Sequence, residues 1–390
     1  MTPDFLEKYD CTLTVKSPVF IGSGKKLSKA EYIYEPSTKT LRVIDVRRLY
    51  EFMEAKGKTK DLEDYFRNPN SYNGTLMFLI SKQIKRADFE NFIDYSLDDC
   101  ELPKGSGGRG KPVKYDILEF MSDPYGNPYV PGSTIKGMLR TAIAASRIRS
   151  DKVLWDKTAS ILGQSSGSGR KYLAKEIVRA EADIFNTLKY ENQKHEDAVN
   201  CDMRLIKVGD SEPLSKENLI ICQKYDERPD GSANVLPIFK ICLKPDTQIK
   251  FTVTIERSGC ENSIGKQIYR FEDIIRALKD FDRIYVDSFL NKFKPQVKAT
   301  DETRCWLGSA GFHTKTILAA VYSDEETLLN ETKEVFRNIL DEDTFKKHEH
   351  NLEGMGSQYK YHVSPHMRKK TLCGAYDFGE TILTFSKKAI

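Results

Sequence analysis

The sequence predicts an α+β protein made of two mixed halves. Three observations carry this expectation. Strand-type and helix-type hydrophobic periods alternate along the whole chain. Of its 390 residues, 39% are hydrophobic and 30% charged, which is enough apolar material for real cores. From about Cys201 the texture shifts toward strands. The boundary is therefore expected near residue 195, giving domains of residues 1–195 and 196–390.

The elements follow in order. Leu13 and Val15 alternate with Thr12, Thr14 and Lys16, as on a half-buried first strand. A hairpin comes next, with arms at Tyr32 to Tyr34 and Leu41 to Ile44. Helical spacing covers Asp45 to Lys56, Asp61 to Phe66 and about Leu76 to Phe89. The glycine-rich run from Gly105 to Pro112 packs no core and reads as a mobile loop, made basic by Arg109, Lys111 and Lys114. A second flexible joint spans Gly163 to Lys171, before a helix expected from Tyr172 to Asn192.

In the second half, Leu219 to Lys224, Ile238 to Leu243 and Lys250 to Glu256 are β-branched or alternating runs. Phe271 to Leu290 is helical. Cys305 to Val321 reads as strand, glycine turn, strand, and Glu325 to Lys347 as a helix. Thr381 to Ser386 is a strand that closes a sheet.

One stretch stands out chemically: Tyr129-Val130-Pro131-Gly132-Ser133-Thr134-Ile135-Lys136-Gly137-Met138-Leu139-Arg140. Pro131-Gly132 makes a turn, with Ser133 or Thr134 as N-cap of a helix. Ile135, Met138, Leu139, Ala142 and Ser146 form its buried stripe. Lys136, Arg140 and Arg147 fall within about 40° of one another on the other side. Unpaired N–H groups, two hydroxyls and the positive end of the helix dipole then make a phosphate site. An ordinary surface helix with solvated Lys and Arg fits the same residues.

Formal net charge is only +4, so a polyanion partner must be argued from local patches rather than from the whole chain. No stretch approaches the 18 apolar residues of a membrane span, and Met1 to Asp10 lacks the apolar run of a signal peptide. The eight cysteines are scattered without a C-x-x-C pair, against a zinc knuckle or disulfide framework. A cytoplasmic protein without metal or other cofactor is expected.

Two further segments are candidates. Gly22-Ser23-Gly24-Lys25-Lys26 follows a strand directly, so backbone N–H groups and lysines are positioned for a phosphate, though an unremarkable surface turn fits as well. Gly308-Ser309-Ala310-Gly311-Phe312-His313-Thr314-Lys315 combines an aromatic and a histidine suited to stacking on a base with a lysine suited to a phosphate. A buried Phe312 beside a hydrogen-bonded His313 is the alternative. The histidines at 348, 350, 362 and 366 match no metal-ligand spacing.

Pro131-Gly132-Ser133-Thr134-Ile135-Lys136-Gly137 resembles the glycine–lysine signature of the RAMP superfamily, the RNA-binding proteins of CRISPR effector complexes. Cys11 to Gly24 resembles the first strand and glycine turn of that superfamily. Asp202 to Asp210, and Trp306 to Thr316 with only Gly308 and Gly311 in its loop, resemble later motifs of one subgroup. That subgroup caps the 3′ end of the guide RNA in type III-A complexes. The resemblance implies two ferredoxin-like (RRM-like) domains with inserted loops and helices, and a non-catalytic subunit that assists guide maturation. It implies as partners the guide RNA (crRNA), target RNA paired to it, a neighbouring backbone RAMP subunit and a small helical subunit. Gly22, Ser23, Gly24, Lys25, Arg109, Lys111, Ser133, Thr134, Lys136, Arg140, Gly308, Gly311, Phe312, His313 and Lys315 are the expected RNA contacts. Related RAMP nucleases cleave without metal through a histidine, so an endoribonuclease using His313 is the alternative function.

Overall fold

The structure, a computed structural model, describes residues 6–72, 74–98, 116–188, 190, 193–257, 269–293, 296–298, 300–308, 313–322, 324–347, 363, 367–371 and 376–388. Its strands are β1 (Leu6–Val15), β2 (Gly22–Leu27), β3 (Tyr32–Glu35), β4 (Thr40–Ile44), β5 (Ile93–Leu97), β6 (Asp116–Phe120), β7 (Ile206–Val208), β8 (Leu219–Glu227), β9 (Ala233–Leu243), β10 (Gln248–Glu256), β11 (Thr303–Trp306), β12 (Arg368–Thr371), β13 (Tyr376–Asp377) and β14 (Glu380–Lys388). Its helices are α1 (Val46–Ala55), α2 (Thr59–Arg67), α3 (Thr75–Ser81), α4 (Gly132–Ser150), α5 (Lys152–Gly163), α6 (Ala174–Phe185), α7 (Phe271–Ser288), α8 (His313–Val321), α9 (Glu325–Ile339) and α10 (Glu342–Lys347).

Helices and strands mix throughout, as an α+β fold requires. The central sheet has the order β11-β14-β1-β10-β7 and is antiparallel at every pairing. On β1, Tyr9, Cys11, Leu13 and Val15 are buried while the residues between them are more open, so the expected alternation holds. The helices α4 and α7 pack against each other, and Phe271 of α7 stacks on Tyr9 at 4.1 Å. Along the chain, β1-α4-β7-β10-α7-β14 is a βαββαβ unit whose strands lie in the order fourth, first, third, second, the ferredoxin-like arrangement.

This unit draws its strands from both sides of residue 195. Lys8 pairs with Lys388, and Leu6 with Glu256. One hydrophobic core likewise runs from Tyr9 to Leu383. The two halves expected on either side of that residue thus share a sheet and a core. The second large sheet has, among the described residues, the order β13-β12-β8-β9-β6-β2, with β6 and β9 parallel.

Between β2 and β6 an insert builds its own core. The expected hairpin β3–β4 pairs with β5 in a small sheet. Ile33, Leu49, Met53, Leu62, Tyr65, Phe78 and Phe89 pack there, with Tyr65 stacked on Phe78 at 4.3 Å. Asp45 starts α1 by accepting from the Arg48 N–H at 3.1 Å.

Several local expectations change. After Gly308 the chain enters helix α8 rather than a strand. Ile317 to Val321 are all buried, and a continuous apolar run does not distinguish helix from strand by its period. Residues 325–347 divide into α9 and α10, and α6 ends at Phe185, short of Asn192. Among the described residues, no helix is long and apolar enough to cross a membrane, and no group of three or more His, Cys, Asp or Glu is placed to hold a metal ion.

Candidate nucleic-acid interface

The antiparallel pairings fix directions: β7 and β11 both run parallel to β1, because each is separated from it by one antiparallel strand. The chain therefore leaves β1, β7 and β11 at the same end of the sheet. Those exits are the Gly22, Asp210 and Gly308 segments. Three stretches singled out in the sequence meet there, although nearly 300 residues separate the first from the last.

The start of α4 is held at this end. Gly132 begins the helix with Pro131 as its N-cap residue, in place of the expected Ser133 or Thr134. The Thr134 N–H returns to the Pro131 carbonyl at 2.9 Å. A Cβ on Gly132 would lie 2.4 Å from the Val208 carbonyl oxygen, so glycine is needed for close approach to the end of β7. Val130 and Ser211 exchange two hydrogen bonds of 2.9 Å. The Gly132 N–H donates to Asp210 Oδ1 at 2.7 Å. The positive end of α4 thus already carries the protein's own carboxylate, which corrects the expectation of an open phosphate site formed by all its first N–H groups.

What remains open at this end is the outer side of the first two turns. Ser133 and Gly137 are exposed and Thr134 is half-buried. A Cβ on Gly137 would meet nothing within 4 Å, so no packing inside the protein calls for glycine there. Lys136 is half-buried and makes no ion pair among the described residues. Burial pushes its ammonium below the usual lysine range, and neighbouring Arg140 adds repulsion.

Gly22 to Lys26 lies in strand β2, at the edge of the six-stranded sheet, and is not a plain turn. Its register against β6 slips between Gly22 and Lys26, and Gly24 takes φ +82°, the left-handed conformation that relieves the bulge. Ser23 Oγ accepts from the Lys25 N–H at 3.1 Å. Lys25 lines a groove with Ser122, Asp123, Tyr129, Asp210 and Ser211, so it shares a wall with the start of α4. Gly308 has φ +77°, and a Cβ there would stand 2.4 Å from the Phe20 carbonyl oxygen. The late motif is thereby pressed against the residues that lead into Gly22.

Other expected contacts divide. His313 and Lys315 fall on the first turn of α8. Arg109, Lys111, Gly311 and Phe312 lie outside the described residues, as do the histidines at 348, 350, 362 and 366.

Beyond Lys136 the cationic line along α4 is largely covered rather than open to water. Helix α6 lies over it. Arg140 Nη2 donates to Glu181 Oε2 at 3.1 Å, Nη1 to Cys201 Sγ at 3.6 Å, and its guanidinium sits 4.1 Å from the Phe185 ring centre. Arg147 is more deeply engaged. It bonds Asp202 Oδ2 at 2.8 Å, the Ile184 carbonyl at 2.8 Å and the Tyr269 hydroxyl at 2.7 Å. Tyr269 in turn donates to Asp202 Oδ1 at 2.7 Å, and Thr187 donates to Oδ2 at 2.8 Å. Burial holds the Tyr269 hydroxyl protonated far above its ordinary range. The Asp202-to-Asp210 segment therefore grips α4 twice, Asp210 at Gly132 and Asp202 at Arg147. Sequence reasoning placed that segment but missed both grips, since nothing local marks an aspartate as the partner of a helix so far back in the chain.

Comparison with known proteins adds the family. Residues 12–312 match the RAMP superfamily model. A Mycobacterium tuberculosis protein named CRISPR system Cms protein Csm5 is 29% identical over 326 residues, covering 80% of this chain and 84% of that protein. A Streptococcus thermophilus protein of the same name is 25% identical over 314 residues, 79% and 80% of the two. Among solved structures, the crystal structure of T. onnurineus Csm5 superposes with a TM-score of 0.61 at 16% identity, over 95% of this chain and 99% of that one. A chain of a cryo-EM structure of a type III-A Csm–crRNA–target RNA ternary complex gives 0.62, also at 16% identity, over 96% and 100%. The superfamily match spans most of the chain and takes in the Gly22, Pro131, Asp202 and Gly308 segments that meet at one end of the sheet: this chain belongs to the RAMP superfamily.

Proposed function

We propose that this chain is an RNA-binding subunit of a type III-A CRISPR (Csm) effector complex. It holds the 3′ region of the guide RNA, ends the row of backbone subunits and assists maturation of the guide in antiviral defence. Its partners are the guide RNA, target RNA paired to it, the adjoining backbone RAMP subunit and the small helical subunit. The observation that carries this reading is the meeting of the Gly22, Pro131 and Gly308 segments at one end of the sheet, in a chain whose relatives are named Csm5.

The grip is on the RNA backbone, leaving bases free to pair. Gly22, Ser23 and Gly24 offer backbone at an edge strand. Lys25 and Lys136 offer charge, Ser133 and Thr134 hydroxyls, and Gly137 a surface bare enough for close approach. Gly308, Gly311, Phe312, His313 and Lys315 continue it from the late motif, and Arg109 and Lys111 from the glycine-rich loop. Arg140 holds Glu181 and takes no part in this grip.

The test is guide RNA recovered with tagged complex, and direct binding of single-stranded RNA across a salt series. Lys25→Ala and Lys136→Ala should each weaken binding alike for any sequence and lower the slope of log K against log salt by about 0.7. Unchanged slopes in both variants reject the phosphate role. Labelled RNA incubated with the protein without metal should stay intact. Cleavage that is lost in His313→Ala would establish the endoribonuclease instead.

A further inference from the structure

Lys224, Lys240 and Lys369 come from three adjacent strands of the six-stranded sheet, β8, β9 and β12. Register sets Lys240 opposite Cys222, two residues before Lys224. It sets Lys369 opposite Asp226, two residues after Lys224. Lys224 bonds Asp226 at 3.1 Å, with 17% of its side chain exposed. Lys240 is buried at 8% exposure, and Lys369 is open to solvent. The cluster thus grades from an inner lysine to an outer one.

The Lys240 ammonium lies over two aromatic rings, 4.6 Å from the centre of Phe20 and 4.9 Å from that of Phe378. Burial lowers its pKa, and Lys369 and Lys224 lower it further by repulsion. Ammonium groups gathered on adjacent strands repel one another, and an anion placed among them offsets that repulsion.

Location says which anion. Phe20, whose ring covers Lys240, is the residue whose carbonyl meets Gly308 and whose ring lies 3.1 Å from the Cβ position of Gly22. The cluster therefore begins where the glycine segments of the interface end. Phe20 is half-buried, so it offers an aromatic surface beside the charge, the pairing that single-stranded nucleic acid uses.

We propose that Lys224, Lys240 and Lys369 form a second phosphate cradle that carries the single-stranded RNA backbone from the Gly22–Gly308 corner across β9, β8 and β12. The cradle rests on the RNA-binding reading above and extends it to a different sheet.

The experiment measures binding of a labelled single-stranded RNA to the full chain across a salt series, for Lys224→Gln, Lys369→Gln, the pair, and Lys136→Ala as reference. The pair should bind on the order of tenfold more weakly at physiological salt, with the log K–log salt slope reduced by about 0.7 for each phosphate deprived of its lysine. Its thermal midpoint should shift only modestly, because relief of repulsion offsets the loss of the Lys224–Asp226 ion pair. Lys224→Arg with Lys369→Arg should restore binding. If the pair fails to fold, Lys369→Gln alone, at an exposed position, decides the matter. Wild-type affinity and slope in the Gln variants, with Lys136→Ala still impaired, overturn the cradle and leave the RNA reading standing. Wild-type RNA affinity with poorer recovery of a tagged neighbouring subunit overturns it in favour of an acidic protein partner. Binding that is insensitive to salt in the wild type and unaffected by Lys136→Ala removes the RNA reading and the cradle together.

Discussion

The two ends of α4 put the same kind of residue to opposite uses. Near its start, Lys136 stands half-buried beside exposed Ser133 and Gly137, with no ion pair among the described residues. One and three turns further on, Arg140 and Arg147 point the same way around the helix but lie beneath α6, bonded to Glu181 and to Asp202. A helical wheel treats these cations as one face. Tertiary packing divides the face, because α6 and the Asp202 segment cover its C-terminal part. A basic stripe is thus evidence of a polyanion site only over the turns that nothing else in the fold covers.

The division can be broken most sharply at Arg147. Asp202 is 1% exposed, so Arg147→Ala leaves a buried carboxylate without its cation and should cost about 3–5 kcal/mol in denaturant unfolding. Combining Arg147→Met with Asp202→Leu should recover much of that loss. A loss below about 1 kcal/mol in the single variant would mean that the buried pair does not tie α4 to the Asp202 segment.

The glycines give the next largest contrast. Gly132→Ala drives a methyl against the Val208 carbonyl and should destabilise by about 1–3 kcal/mol. Gly137→Ala meets open space and should stabilise the helix by up to about 1 kcal/mol, while weakening RNA binding if the RNA backbone approaches there. Equal thermal shifts of the same sign would erase the distinction.

The smallest effects separate Arg140 from Lys136. Arg140→Ala should cost about 1 kcal/mol of stability, since its ion pair is partly exposed, and should leave the salt slope of RNA binding unchanged. Lys136→Ala should do the reverse, with an unchanged unfolding midpoint and a reduced slope. A reduced slope with Arg140→Ala would show that its guanidinium leaves Glu181 for RNA.

Much of the secondary structure was legible because it is written locally. β1, the β3–β4 hairpin, α1, α4, α7 and β14 lie where period and turn residues put them. The failures share a cause. The apolar run of α8 carries no period, so strand and helix were equivalent there. The N-cap of α4 falls on Pro131 because Gly132 must press against β7, a constraint set by residues 208 and 209. That β1 lies between β10 and β14 is a pairing across the whole chain, which no window of sequence contains. The interface was legible as separate motifs and illegible as a place, because its geometry follows from those same pairings. Asp210 and Asp202, which set the two ends of α4, carry no mark that separates them from other aspartates.

The position of β1 also has a consequence for how the protein is made. β1 leaves the ribosome well before either of its sheet neighbours, β10 from residue 248 and β14 from residue 380. Until then a ten-residue strand with one apolar face waits with both edges open, a state that invites aggregation. The insert between β2 and β6, with its own core, can fold during that wait. The central sheet cannot, so the corner where Gly22, Asp210 and Gly308 meet comes into being only once β14 has been made. A chain that stops short of β14 therefore lacks the assembled corner.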